Sequence, residues 1–426
     1  MTRKKEEDLG ARQQHHFYFR NGTMDFYVGW LLGYSQLGGL SPGALYDCLN
    51  QIDDGRPRSW IEAFRKCLAY QQEQAEAAEA RGGRRRAAQH NRAAAVAARA
   101  ALNFTEPGSP DADGFIDAME RSFQASLALS GSELEPWDVP FRDARLPAYV
   151  SRALADAPIL FVVVGGGDTY REDLWYFAGC EAERRGYAVL MADLPGQGKT
   201  PNAGLHFGPD TIEGLNAALL GARARGFKGK VVLCGFSGGG LFTAKYLELH
   251  GGVAAWIAST PIEDIARMFE QALPGVLRRN PHGMLAHRVL TLAGRLSPVL
   301  DASIKKYDWQ FGPGGVPEAV ERFRTVGKVD LARLDAPLLA LVGTSEARES
   351  QVQARRVFEA TRTRNPTSRL IELPPASGGD AHCQVNNLPL MLELVFEWLQ
   401  EIGLGPDRMG SASAPRDASE RSTSRK

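Results

Sequence analysis

Ten residues constrain this chain more than any others: Val231 to Gly240, VVLCGFSGGG. Val231 to Cys234 are apolar and read as a short buried strand. Gly235-Phe236-Ser237-Gly238-Gly239 then fits G-x-S-x-G, and the apolar residues from Leu241 to Leu247 continue with helical spacing. Strand, tight turn and helix in that order turn a short pattern into a nucleophile elbow. So sharp a turn holds its serine in a strained backbone conformation and needs neighbours almost without side chains. Glycines at 235, 238 and 239 meet that need. The Ser237 hydroxyl is expected to project above a sheet, with the backbone N–H of Gly238 facing the same space.

The chain has 426 residues, more than one typical domain, which predicts one large α/β domain and an appendage. Fifty basic residues balance fifty acidic ones, so no overall field draws in nucleic acid or an anionic membrane surface. No apolar run has the length of a membrane span. The start, MTRKKEEDLGARQQ, has no apolar segment and does not read as a secretory signal. Cys48, Cys67, Cys180, Cys234 and Cys383 are odd in number and form no C-x-x-C pair, which predicts reduced thiols, a cytoplasmic setting and no structural zinc. No cofactor is expected either. Gly196-Gln197-Gly198-Lys199-Thr200 resembles the end of a phosphate-binding loop, but Asp193 stands where its first glycine belongs. Gly165-Gly166-Gly167 is no dinucleotide fingerprint, because Tyr170 replaces the third glycine.

Along the chain, residues 1–20 read as a loose polar lead and 21–131 as a helical N-terminal domain. Trp60, Ile61, Phe64 and Leu68 share one helical face, and the Ala/Glu/Arg-rich stretch from Tyr70 to Ala101 breaks at Gly82-Gly83 into two antiparallel helices. The arginines around that break read as a solvated helix turn. From 132 to 404 the rhythm becomes strand, helix, strand, the pattern of a doubly wound, mostly parallel sheet. Ile159 to Val164 is its most continuous apolar, β-branched run, as in a strand buried on both faces. The rhythm lapses over about 261–329, where helical stretches (Ile262 to Leu273, His287 to Leu300) predict a cap above the strand ends. Residues 405–426 are polar and read as a disordered tail.

Ser237 needs a base and the base needs an orienting acid, which in this fold follow in the order Ser, Asp/Glu, His. His382 lies in a loop after the last predicted strand, from where it reaches back. Glu346 stands three residues past Gly343 at the end of the Pro337 to Val342 strand and is the expected acid; Glu349 is next and Asp380 third. The oxyanion donors are expected from Gly238 and from Gly166 and Gly167 after the Ile159 strand. Asp168, Tyr307 and Trp309 are candidates for contact with substrate, and no residue is read as a metal ligand.

These motifs, taken together, resemble the α/β-hydrolase group that includes 2,6-dihydroxypseudooxynicotine hydrolase and the fungal enzymes that shorten polyketide pigment precursors. The similarity runs from about Trp60 to Leu399 and rests on the helical lead WIEAFRKCLAYQQEQAEAAEARGGRRRAAQHNRAA, GGGDTYRED, ADLPGQGKT, GFSGGG, YDWQFG and GDAHC. The resemblance implies a Ser-acid-His triad and helices that close over the site. Some members hydrolyse a carbon–carbon bond beside a ketone, and other relatives act on esters, thioesters or peptides. This chain differs in having Glu346 where aspartate is usual. It also has Ala93, Ala94 and Ala95 where the helical lead is often aromatic, in helices expected to line the pocket. The expected activity is that of a serine hydrolase acting on a small aromatic, polyketide-like or acyl metabolite. Alternatives are an acyltransferase or cyclase with the same triad, or a non-catalytic binding protein on a hydrolase fold. A homodimer is a further possibility.

Overall fold

Strands in which every side chain is apolar must be covered on both faces, and that requirement sets the architecture. The computed structural model describes residues 12–14, 16–272, 292, 294–295, 297–312 and 315–406. Most of the tail, the start of the lead and the first part of the His287 to Leu300 helix lie outside the described residues.

Among the described residues, eight strands form one sheet in the order β1-β2-β4-β3-β5-β6-β7-β8. β1 (Leu134–Phe141) and β2 (Ala144–Ser151) make an antiparallel hairpin, and β2 pairs antiparallel with β4 (Ala188–Ala192). β3 (Ile159–Val164), β4, β5 (Lys230–Phe236), β6 (Ala255–Ser259), β7 (Leu338–Gly343) and β8 (Arg369–Leu373) run parallel. The expected doubly wound, mostly parallel sheet is therefore present, with strand ends within a few residues of those read from the sequence.

The strand residues sort by parity. Phe161, Val163, Val232, Cys234, Ile257 and Leu341 join one buried cluster, while Leu160, Val162, Leu233, Trp256 and Ala340 join the other. The second face is covered by α8 (Pro209–Ala224), α9 (Gly238–His250) and α13 (Arg348–Arg362), through residues such as Leu215, Leu241 and Val357. The first face takes α14 (Leu388–Glu401) together with α1 (Gly22–Gln36), α2 (Pro42–Leu49), α3 (Pro57–Ala80), α4 (Arg84–Leu102) and α5 (Pro110–Ser130).

The N-terminal helices thus share one buried cluster with the sheet instead of enclosing a core of their own. α4 makes this possible. Ala93, Ala94, Ala95, Ala97 and Ala98 are buried, and side chains this small let neighbouring helices come close. Ala93 to Ala95 are core residues and do not line the Ser237 cleft described below. α3 and α4 are joined at Gly82, whose φ is +71°, as the double glycine predicts. α5 starts at a Ser109 cap with Pro110 behind it and stops at Gly131 in the left-handed conformation. Residues read as a loose lead are tied to α1: buried Asp25 accepts backbone N–H groups from Phe17, Tyr18 and Phe19 at 2.7–2.9 Å.

After β3 the chain turns through α6 (Arg171–Leu174), a π-helical turn (Trp175–Gly179) and α7 (Cys180–Arg184). Between β6 and β7 lie the cap helices α10 (Ile265–Ala272), α11 (Pro298–Phe311) and α12 (Gly315–Val326).

Candidate active site

Ser237 lies between β5 and α9 with φ +55° and ψ −124°, a left-handed backbone that only a tight surrounding structure sustains in a non-glycine residue. Its N–H donates to the Ser259 carbonyl at the end of β6, at 2.7 Å. A Cβ on Gly239 would fall 2.3 Å from the Val164 carbonyl oxygen, so only glycine lets α9 start this close to β3. Gly166 is equally confined: a Cβ there would lie 2.6 Å from the Ser237 Cβ and 2.7 Å from the Gly238 nitrogen. The β3 loop therefore rests directly on the elbow.

That loop is held by its carbonyls. Gln197 Nε2 donates to Gly165 O at 2.6 Å and to Gly166 O at 3.1 Å. Gln310 Nε2, from α11, donates to Gly167 O, and Arg99 Nη2, from α4, donates to Asp168 O. Four successive carbonyls are each bound by a side-chain N–H, and both glutamine side chains are buried.

The acid and the imidazole meet on the loops after β7 and β8. His382 Nδ1 lies 2.6 Å from Glu346 Oε2, while Glu346 Oε1 accepts from the Thr260 hydroxyl at 2.7 Å and from Gly343 N–H at 3.0 Å. When the imidazole is neutral, an Nδ1 facing a carboxylate carries the proton, which leaves Nε2 as the acceptor. Burial opposes a charged imidazole, but neighbouring Cys383 and Glu346 outweigh it, so the His382 pKa stands above its ordinary value. Glu349 engages Arg267 at 2.9 Å and Gln353 at 3.0 Å and takes no part in this pair. Asp380 accepts from the Ser345 hydroxyl, and its backbone oxygen accepts Ser345 N–H at 3.1 Å, binding the histidine loop to the acid loop.

Ser237, Gly238, Gly167, Asp168, Glu346 and His382 line one cleft of about 250 Å³. Tyr307 lines it as well, and apolar side chains such as Phe207, Phe242, Ile262, Phe311 and Phe323 form much of the rest. Trp309 does not face it. Its indole N–H donates to Asn202 Oδ1 at 2.8 Å, and the ring borders a separate small cavity of about 30 Å³ behind the β3 loop. Gly166 packs beneath Ser237 without lining the cleft. Among the described residues, no group of three or more His, Cys, Asp or Glu is arranged to hold a metal ion.

Several site residues escape a sequence reading. Gln197 sits in the GQGKT stretch, which as a motif yields only a failed phosphate loop; Gln310 sits in YDWQFG, whose aromatics attract attention first. Arg12 falls in a lead that composition marks as loose, yet its carbonyl accepts His382 N–H at 2.8 Å and its side chain lines the cleft. Nothing local to Thr260 signals that it holds the acid.

Residues 159–386, more than half of the chain, match the model of the alpha/beta hydrolase family. The chain belongs to the alpha/beta hydrolase family. This alpha/beta hydrolase is 29% identical over 197 residues to the 20-hydroxy-prefusarin hydrolase FUS2 of Gibberella moniliformis, a match covering 43% of this chain and 46% of that one. It is 24% identical over 425 residues to the hydrolyase poxO of Penicillium oxalicum, covering 91% of this chain and 98% of that one. The match to FUS2, and that to the hydrolase pyiE of Pyricularia grisea, spans less than half the relative's length, 46% and 44%. Among solved structures, 2,6-dihydroxy-pseudo-oxynicotine hydrolase shares the fold with a TM-score of 0.60 at 16% identity, over 88% of this chain and 96% of that one. The resemblance read from the motifs is thereby borne out. No helix among the described residues is long and apolar enough to cross a membrane.

Proposed function

We propose that this alpha/beta hydrolase is a serine hydrolase that cleaves an ester, thioester or ketone-adjacent carbon–carbon bond in a small metabolite of secondary metabolism. The observation that carries this reading is the strained Ser237 lining one cleft with the Glu346–His382 pair. Ser237 Oγ attacks the substrate carbonyl and passes its proton to His382 Nε2. The oxyanion of the tetrahedral intermediate takes N–H donors from Gly238 and from the Gly166–Gly167 segment. Collapse expels the leaving group, which takes the proton from His382. Water then attacks the acyl-enzyme with His382 as base, and Ser237 recovers its proton as the acid departs. Glu346 holds the imidazole tautomer and steadies the imidazolium. The apolar lining suits an acyl or aromatic body, and the relative FUS2 is a 20-hydroxy-prefusarin hydrolase.

Intact-mass labelling with a fluorophosphonate tests the reading. One adduct is expected on the wild type, none on Ser237→Ala and much slower labelling on His382→Ala. An adduct that persists on Ser237→Ala, or a folded wild type that never labels and turns over no ester, thioester or β-ketone, sinks it.

A further inference from the structure

Beside the β3 loop one carboxylate meets two cations. Asp168 accepts from Arg12 Nη1 at 2.9 Å and from Lys306 Nζ of α11, with the Tyr27 hydroxyl of α1 at 3.5 Å. The nearby charges are matched elsewhere: Arg99 by Asp173 at 2.6 Å, Glu349 by Arg267, and Glu346 by His382 while its imidazole is protonated, the form that its raised pKa favours in the resting protein. Among the described residues this corner of the cleft therefore carries one positive charge more than its carboxylate neutralises. The side chains of Arg12, Lys306 and Asp168 are 34%, 19% and 16% exposed, so Lys306 and Asp168 are largely withdrawn from water and Arg12 partly so. An unmatched charge in that setting costs free energy until something matches it. Neither cation escapes by losing its proton. Burial works against both, but Asp168 holds both above their ordinary values. Asp168 in turn stays ionised, because Lys306 and Arg12 overcome its own burial.

We propose that the substrate carries a carboxylate on an apolar body and that Arg12, which lines the cleft, receives this carboxylate while Lys306, from the small cavity behind the β3 loop, keeps Asp168 neutralised. The proposal rests on reading the Ser237 cleft as the active site and adds the charge class of its ligand. A bound carboxylate gives two cations two carboxylates, and the planar guanidinium suits two-pronged contact with it. The position is adjacent to the chemistry. Arg12 O accepts His382 N–H at 2.8 Å, and Gly167, beside Asp168, lines the cleft with Ser237. The apolar body has Phe207, Phe242 and Phe323 to lie against.

Titration calorimetry on full-length Ser237→Ala reads this without turnover, with phenylbutyrate and phenylhexanoate as probes and their primary amides as neutral counterparts. An acid is expected to bind about tenfold or more tightly than its amide. That preference should fall towards unity when Arg12→Gln or Lys306→Met is added, and survive Lys306→Arg. If Lys306→Met does not fold, Arg12→Gln reads the same charge. Binding no tighter for either acid than for its amide, or a preference that outlasts both Arg12→Gln and Lys306→Met, overturns the proposal. A folded wild type that neither labels with fluorophosphonate nor turns over an ester, thioester or β-ketone, with the preference intact, would sink the hydrolase reading and leave the carboxylate site standing.

Discussion

At the scale of single residues, the acid of the candidate triad is the instructive case. Glu346 and Glu349 both follow the β7 strand closely, and residue type alone does not separate them. The backbone does. Glu346 precedes α13 and its carboxylate is fixed by Gly343 N–H and the Thr260 hydroxyl, whereas Glu349 already belongs to the first turn of α13 and reaches Arg267. Ser237 and His382 are legible earlier because each occupies a fixed place relative to a strand end. Glu346→Gln is expected to lower kcat/KM by roughly a thousand- to ten-thousandfold, by removing the charge that steadies the imidazolium. The same variant should alter the pH profile. The neutral imidazole is the base, so with the His382 pKa raised above the ordinary value of about 6.5, the rate climbs as pH rises through that raised value. Losing the Glu346 charge lowers the pKa, and the ascending limb moves to lower pH. Glu349→Gln should leave the limb where it is. A pH–rate profile for the three proteins decides the point, and an unmoved limb in Glu346→Gln removes Glu346 from the pair.

At the scale of elements, strands and helices were readable because their periodicity is local: an all-apolar β3, the glycine break between α3 and α4, and the elbow at the end of β5. What joins them was not. Gln310 and Gly167 are 143 residues apart, and Arg12 and Asp168 are 156 apart, so no window of sequence contains either contact. The first contact has a kinetic consequence. α11 belongs to the cap, yet through Gln310 it grips the carbonyl next to the expected oxyanion donors, so the seating of the cap and the aim of those N–H groups are linked. Gln310 is thus a positioning residue. Gln310→Leu should lower kcat by about tenfold or more with little change in KM, because misaimed donors cost transition-state binding before ground-state binding. Steady-state kinetics with a neutral ester tests this. A rise in KM at constant kcat would show that Gln310 only shapes the cleft.

At the scale of the whole molecule, the question is why the five N-terminal helices among the described residues share one buried cluster with the sheet. Aromatic stacking carries part of the answer: Trp30 of α1 stacks on Phe177 at 5.6 Å, and Phe177 stacks on Phe236, the residue before Ser237, at 4.9 Å. A buried ion pair carries another part. Asp173 of α6 binds Arg99 of α4 at 2.6 Å and the Tyr34 hydroxyl of α1 at 2.7 Å, and also accepts Tyr170 N–H at 2.8 Å. With side-chain exposures of 7% for Arg99 and 1% for Asp173, the pair is almost fully out of water. Such pairs contribute little net stability when intact, but removing one partner strands the other charge at a cost of about 3–5 kcal/mol. Arg99→Leu is therefore expected to lower the urea midpoint sharply. Replacing both partners, Arg99→Leu with Asp173→Leu, should recover part of that loss, since no lone carboxylate remains buried. If the double variant is instead as unstable as the two single losses added together, the pair's charges are not coupled, and the helices are held to the sheet by apolar packing alone.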